Sequence, residues 1–505
     1  MSVLVPRLPR ASGVLAHPTS LPGPYGIGDL GASARALLEF LARAGQRLWQ
    51  VLPLTPTGHG DSPYAAPSAF AGNPLLIAPD PLAERGLLDP SDLHALASLP
   101  AERVDYGRLV PLKHRALRRA FERFRREGDP SMQARFGAFQ RGEAGWLDDF
   151  VLFAAIREST GAMWTEWDPP LRDREPGALH AARARLADAA EGHAFAQFLF
   201  FDQWAAVRSH AREQGIRIVG DIPIFVALDS ADVWAHPELF KLDDRRQPTV
   251  VAGVPPDYFS QSGQLWGNPL YNWEAVAAQG YRWWIRRFQH LLRLVDVVRI
   301  DHFRGFAAAW EVPAGAETAV HGRWVPGPGA DLFRALEAAP GGPAPIIAED
   351  LGTITEDVRA LLAELGYPGM KVLQFAFGGQ PDNPYLPHTF DDPNCVVYTG
   401  THDNDTTRGW YASAPEPERD FVRRYLGTSG ADITWDFIRL ALASVADAAV
   451  IPLQDVLDLG SEARMNVPGA AEGNWRWRAT AQQLQPAIAD RLRELTWLYA
   501  RAETG

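Results

Sequence analysis

Apolar runs of strand length recur along the chain, and segments with helical spacing separate many of them. Eight runs stand out: "GVLAHP" (13–18), "LWQVLPL" (48–54), "IRIVGDIPIFV" (216–226), "VDVVRIDH" (295–302), "PIIAED" (345–350), "MKVLQF" (370–375), "CVVYTGTHD" (395–403) and "AVIPLQDVL" (449–457). They are nearly continuous rather than alternating, as in parallel strands covered on both faces. Between the first two, Ala34, Leu37, Leu38 and Leu41 recur at i, i+3, i+4 and i+7, with Gly45 as a stop. Near the end, Ile488, Leu492, Leu495 and Tyr499 line another helical face. Eight strands with helical crossovers predict an α/β fold, a closed (β/α)8 TIM barrel rather than an open sheet.

Two connections are far too long for barrel loops. The one between strands two and three, 57–215, contains charged helical stretches such as "HRALRRAFERFRRE" and reads as a large, mainly helical inserted subdomain. The one between strands three and four, 227–294, contains "VAGVPPDYFSQSGQLWGNPLY" (251–271). Its prolines and glycines predict an irregular segment, and it also carries Tyr258, Phe259, Trp266 and Tyr271. A long, irregular, aromatic segment in a compact protein suggests a lid or binding loop. Residues 1–505 are thus expected to form one barrel catalytic domain with two insertions.

Composition narrows the partners. The formal net charge of −12 argues against nucleic acid or an anionic membrane surface. Cys395 is the only cysteine, so an intrachain disulfide and a cysteine-clustered zinc site are excluded. The N-terminal stretch lacks a continuous apolar h-region, and no segment reaches roughly 18 apolar residues. A soluble, cytoplasmic monomer is expected. The 17 tryptophans lend slight support to a site that stacks sugars, but taken alone they favour a Trp-rich core.

In barrels of this kind the active site lies where strands end. Strand three ends with Asp221, strand four with Asp301, strand five with Glu349 and Asp350, and strand seven with His402, Asp403 and Asp405. A lone Asp after a strand usually charges a helix start, and Asp229 and Asp357 take that role. Several acids on one rim repel and raise one another's pKa, an arrangement stability alone does not favour. The absence of His-x-His pairs weakens a metal reading, although His302 and His402 suit ligation as well as hydrogen bonding. Paired carboxylates fit glycoside cleavage, with one acid ionised and one protonated. Arg299 lies on the same side of its strand as Asp301 and is expected to keep it ionised. Glu349, after the apolar "PIIA" and beside Asp350, is expected to have a raised pKa.

Taken together, "GDIPIFV", "RIDHFRG", "IIAEDLG" and "THDND" resemble the 4-α-glucanotransferases (amylomaltase, or disproportionating enzyme), relatives of the α-amylase clan. The resemblance extends over nearly the whole chain, through "SGVLAHPTSLPGPYGIGDLG", "GHGDSPYAAPSAFAGNPLLI", "QLWGNPLYNW", "NPYLPHTF" and "EGNWRWR". It implies retaining, double-displacement transfer of a 1,4-α-glucan segment to an acceptor 4-hydroxyl, with cyclisation of long glucans left open. By match to these motifs, Asp301 is the nucleophile, Glu349 the acid/base, and Asp403 the residue holding the ring's 2- and 3-hydroxyls. Tyr64, Asp221, Arg299, His402, Gln264, Trp266 and Asn474 are the implied substrate-binding residues. No cofactor or metal is implied. Malto-oligosaccharides, amylose and starch- or glycogen-derived glucans are the implied partners. Three other readings stay open at this level: an α-glucan hydrolase, a non-catalytic glucan-binding barrel and a metal-dependent barrel hydrolase.

Overall fold

The computed structural model describes residues 7–256, 261–340, 342 and 345–502. Its centre is an eight-stranded parallel sheet. In chain order the strands are β1 (Ala11–Leu15), β2 (Leu48–Gln50), β3 (Arg217–Pro223), β4 (Val297–Asp301), β5 (Ile346–Ala348), β6 (Gly369–Val372), β7 (Cys395–Tyr398) and β8 (Ala448–Pro452). The ladder runs β6-β7-β8-β1-β2-β3-β4-β5. The N–H of Ala348 donates to the carbonyl of Pro368 at 2.9 Å, linking β5 to the start of β6 and closing the ring. The eight apolar runs therefore become the eight strands of a (β/α)8 barrel.

Helix α1 (Ala32–Arg43) buries Ala34, Leu37, Leu38 and Leu41, and the chain leaves it through Gly45 at φ +69°. Between β2 and β3 the main elements are α2 (Tyr106–Glu127), α3 (Pro130–Thr160) and α4 (Ala187–Glu213). On α2 the buried positions Leu109, Ala116, Leu117, Ala120, Phe121 and Phe124 form a single stripe. Asp129 caps the start of α3, with Pro130 in its first turn. Phe121, Phe124, Phe136, Phe195 and Phe198 interlock these three helices through ring contacts of 4.5–6.2 Å. Helix α4 also serves the barrel: Trp204 packs against Trp49 of β2 and donates its Nε1–H to the carbonyl of Leu294.

The described parts of the 251–271 segment are more ordered than its proline and glycine content predicts. Val250–Val254 and Gln264–Pro269 are strands of a second, four-stranded antiparallel sheet, completed by Ala308–Pro313 and Arg323–Pro326. The glycines make this pairing possible. A Cβ on Gly253 would stand 2.6 Å from the carbonyl oxygen of Gln264, and Gly263 turns at φ +67°. Local composition could not reveal it, because the pairing partner lies past β4. Tyr258 and Phe259 lie outside the described residues. Among the described residues no helix is long and apolar enough to cross a membrane.

Candidate active site

The site is built from strand register. On the ladder between β3 and β4, Asp221 pairs with Arg299 and Pro223 with Asp301; between β4 and β5, Arg299 pairs with Ile347 and Ile300 with Ala348. The ladder continues past the strand ends, with Glu349 N–H to the Ile300 carbonyl and Phe303 N–H to the Glu349 carbonyl, both at 3.0 Å. Asp301 and Glu349 thus stand level on adjacent strands, one layer above Asp221 and Arg299. Side chains two apart share a face, so Arg299 and Asp301 project to the same side.

Arg299 is the hub of the lower layer. Its guanidinium donates to Asp221 at 2.7 and 2.9 Å and to Asp301 at 3.0 Å. Tyr64 donates its hydroxyl to Asp221 at 2.7 Å. Side-chain exposure rises from 0% at Asp221 and 3% at Arg299 to 27% at Asp301 and 44% at Asp403, so charge steps from a sealed floor to an open mouth. A buried cation with two carboxylates answers the cost of leaving any one of them unpaired.

Glu349 has different company. Its Oε2 accepts the N–H of His302 at 2.7 Å and its Oε1 that of Leu351 at 2.8 Å. His302 reaches this position by turning at φ +52°, a left-handed conformation that histidine tolerates better than most residues. Asp350 points elsewhere: its carboxylate accepts the Met370 N–H at 2.6 Å and lies where a side chain on Gly369 would be. It fixes the start of β6 and is not free for chemistry.

Burial pushes the Asp301 carboxyl well above the ordinary range; Arg299 opposes this and the charges of Asp221, Glu349 and Asp403 add to it. Burial likewise raises Glu349, against Arg299 and its two backbone donors, with Asp350 adding to the rise. The expected rise at Glu349 is present, but the two acids do not shift in opposite directions. What separates them is contact: a guanidinium touches Asp301, whereas backbone N–H groups hold Glu349. Burial lowers the His402 imidazole despite the opposing charge of Asp403, so it sits neutral against the cluster.

Asp403 follows β7 on a loop fixed from within. Asn404 accepts the Thr401 N–H at 2.9 Å, and buried Asp455 accepts the Thr399 and Thr407 hydroxyls at 2.5 and 2.7 Å. His402 stacks on Tyr64 with centroids 5.2 Å apart and planes 14° apart. Trp475 completes this aromatic wall, 5.8 Å from Tyr64 and 5.9 Å from His402. Gln264 and Trp266 share one face of their strand, with the indole N–H donating to Gln264 at 3.2 Å. The Trp266 ring meets the His302 ring edge-on at 4.7 Å, which brings the small sheet to the rim.

The amide of Asn474 is engaged within its own turn, accepting from the Val467 N–H at 2.9 Å and donating to the Ala470 carbonyl at 2.9 Å. That turn delivers two residues sequence reasoning missed. Asn466 donates to Oδ1 of Asp403 at 2.6 Å, and Trp475, held at φ +64°, forms the wall described above. A large side chain at positive φ is uncommon and strained, and sequence carries no signal for it. His17, at the end of β1, was missed too. It is buried, its Nδ1 has no partner among the described residues, and burial pushes it down to about 3, with His402 contributing.

A (β/α)8 barrel that gathers carboxylates from several strand ends beneath an aromatic wall has the build of an enzyme acting on glycosidic bonds. A family model described as 4-alpha-glucanotransferase, glycoside hydrolase family 77, matches residues 16–483. The chain is 53% identical over 496 residues to the 4-alpha-glucanotransferase of Thermus thermophilus, covering 97% of this chain and 98% of the relative. It is 50% identical to the Synechocystis enzyme of the same name, covering 97% and 98%. The structure of amylomaltase from Streptococcus agalactiae in complex with acarbose superposes with a TM-score of 0.94 at 39% identity, covering 98% of this chain and 100% of that one. The chain belongs to the 4-alpha-glucanotransferase family.

Proposed function

We propose that this chain moves a segment of 1,4-α-glucan from a donor to the 4-hydroxyl of an acceptor glucose or glucan by retaining double displacement. The carboxylate of Asp301 attacks C1 of the donor glucose. The C1–O4 bond breaks, and its electron pair leaves on O4, which takes the proton of Glu349. The ionised Glu349 then takes the proton of the acceptor hydroxyl, whose oxygen attacks C1 and releases Asp301. Burial raises both acids, so they titrate as a pair, and the reaction requires one proton held between them. Arg299 draws the negative charge to Asp301, leaving the proton on Glu349. Asp403, held by Asn466, binds the ring's 2- and 3-hydroxyls, while Tyr64 and His402 line the donor sugar and Asp221 supports them from the buried layer beneath. Gln264, Trp266 and Asn474 belong to the same substrate-binding set.

The observation that carries this is the register of Asp301 with Glu349, with the guanidinium in contact only on the Asp301 side. The substrates are malto-oligosaccharides, amylose and starch- or glycogen-derived glucans, and a long glucan that supplies both donor and acceptor ends would be cyclised. The protein is read as a cytoplasmic monomer. Incubation with maltotriose tests the function: a ladder of longer oligosaccharides plus glucose is expected. Shortening alone would make the protein a hydrolase, and no change at all a binding barrel. Asp301→Asn should cut product formation by about 10³-fold or more; activity that survives the change would remove Asp301 from the nucleophile role.

A further inference from the structure

Trp324 is the side chain whose setting the reaction above leaves unused. It lies on Arg323–Pro326, an edge strand of the small sheet, and is 38% exposed. Even so, it is held on two sides. The Arg304 guanidinium carbon sits 3.7 Å from its ring centroid, and the Trp310 ring packs at 5.2 Å with a 64° tilt. One face of the indole is covered by the cation, and the exposed part of the ring lies outside these two contacts.

The covering cation belongs to the catalytic rim. Arg304 follows Asp301 by three residues, is 6% exposed, and donates to the carbonyl of Thr353, four residues past Glu349. Its Nε has no partner among the described residues. The ring is thereby fixed to both turns that carry the reacting acids. The opposite edge strand carries Trp266, also 38% exposed and set against His302. The two strands are the outer edges of one four-stranded sheet, roughly 14 Å apart at about 4.7–4.9 Å per strand.

The edge discourages a protein strand from adding to it: it is four residues long, ends in Pro326, and carries Arg323 paired with Glu311 at 2.7 Å. A flat ring held on two sides yet more than a third exposed suits the C–H face of a pyranose, leaving the sugar's hydroxyls in water. We propose that Trp324 is an outer stacking subsite for the acceptor glucan, on the side of the cleft where Glu349 serves the departing and incoming 4-oxygen. This rests on the double-displacement reading above.

The test uses α-maltosyl fluoride as donor and either glucose or maltopentaose as acceptor, with fluoride release and product length measured. Trp324→Ala should lower the ratio of kcat/KM for maltopentaose to that for glucose about tenfold, mainly through KM for the long acceptor. Trp324→Phe, which keeps a flat ring, should restore most of that ratio. Trp324→Leu covers Arg304 without a flat face and should behave like alanine, which keeps the test open if the alanine variant folds poorly. A purely structural cover predicts that both acceptors weaken together; an unmoved ratio in the alanine or leucine variant overturns the proposal. Wild-type protein that transfers to neither acceptor would instead refute the transferase reading itself, whatever Trp324 does.

Discussion

The backbone N–H of His302 donates to Oε2 of Glu349 at 2.7 Å, so the residue next to the proposed nucleophile holds the proposed acid. With Leu351 N–H on Oε1 at 2.8 Å, both carboxyl oxygens already face a donor. Asp301 and Glu349 are therefore fixed relative to each other by main chain, the least mobile part of a barrel rim.

Glu349→Gln follows from this geometry. The amide has one acceptor oxygen, so its NH2 must face either His302 N–H or Leu351 N–H, donor against donor. Transfer between natural glucans should fall about 10³-fold or more. Covalent adduct formation from a fluorinated donor with a good leaving group should persist, because departure then needs no proton. Mass spectrometry of the intact protein reads the adduct. Equal survival of both steps would mean Glu349 is misassigned.

Asp350→Asn offers a pH signature. Oδ1 of asparagine can accept the Met370 N–H as Asp350 does, so the β6 anchor is retained while a negative charge is lost. The Asp350 charge helps raise Glu349; without it the Glu349 pKa falls. Activity that needs protonated Glu349 is then lost at lower pH, and the basic limb of kcat/KM moves down the pH scale. A limb that stays put or moves up contradicts the assigned acid.

Trp266→Ala bears on the choice between sugar and water. The ring is set against His302 at the rim, where it can cover the glycosyl intermediate. Its loss should raise the ratio of free glucose to transfer products from maltotriose several-fold, read by chromatography. An unchanged ratio means water exclusion lies elsewhere.

Legibility differed from element to element. The eight strands could be read because a parallel strand buried on both faces leaves a continuous apolar run, and a run that ends in an acid shows where the rim begins. Asp221, Arg299, Asp301, Glu349 and Asp403 could be found that way. The small sheet could not, because Val250–Val254 and Gln264–Pro269 are stabilised by Ala308–Pro313, which lies beyond a barrel strand in the chain.

By itself, then, the sequence determined the barrel, the rim and the acids on it, because strand periodicity and strand ends are local properties of the chain. Only the tertiary structure decided that Asn466 reaches Asp403 and Trp475 packs on Tyr64 and His402, that Asn474 is engaged in the turn bringing them there, and that Asp350 is drawn away to β6. It also decided that burial raises the carboxyls of both Asp301 and Glu349 while a guanidinium touches Asp301. Those outcomes depend on the paths of loops distant in sequence and on the solvent they exclude, and neither is encoded in the spacing of nearby residues.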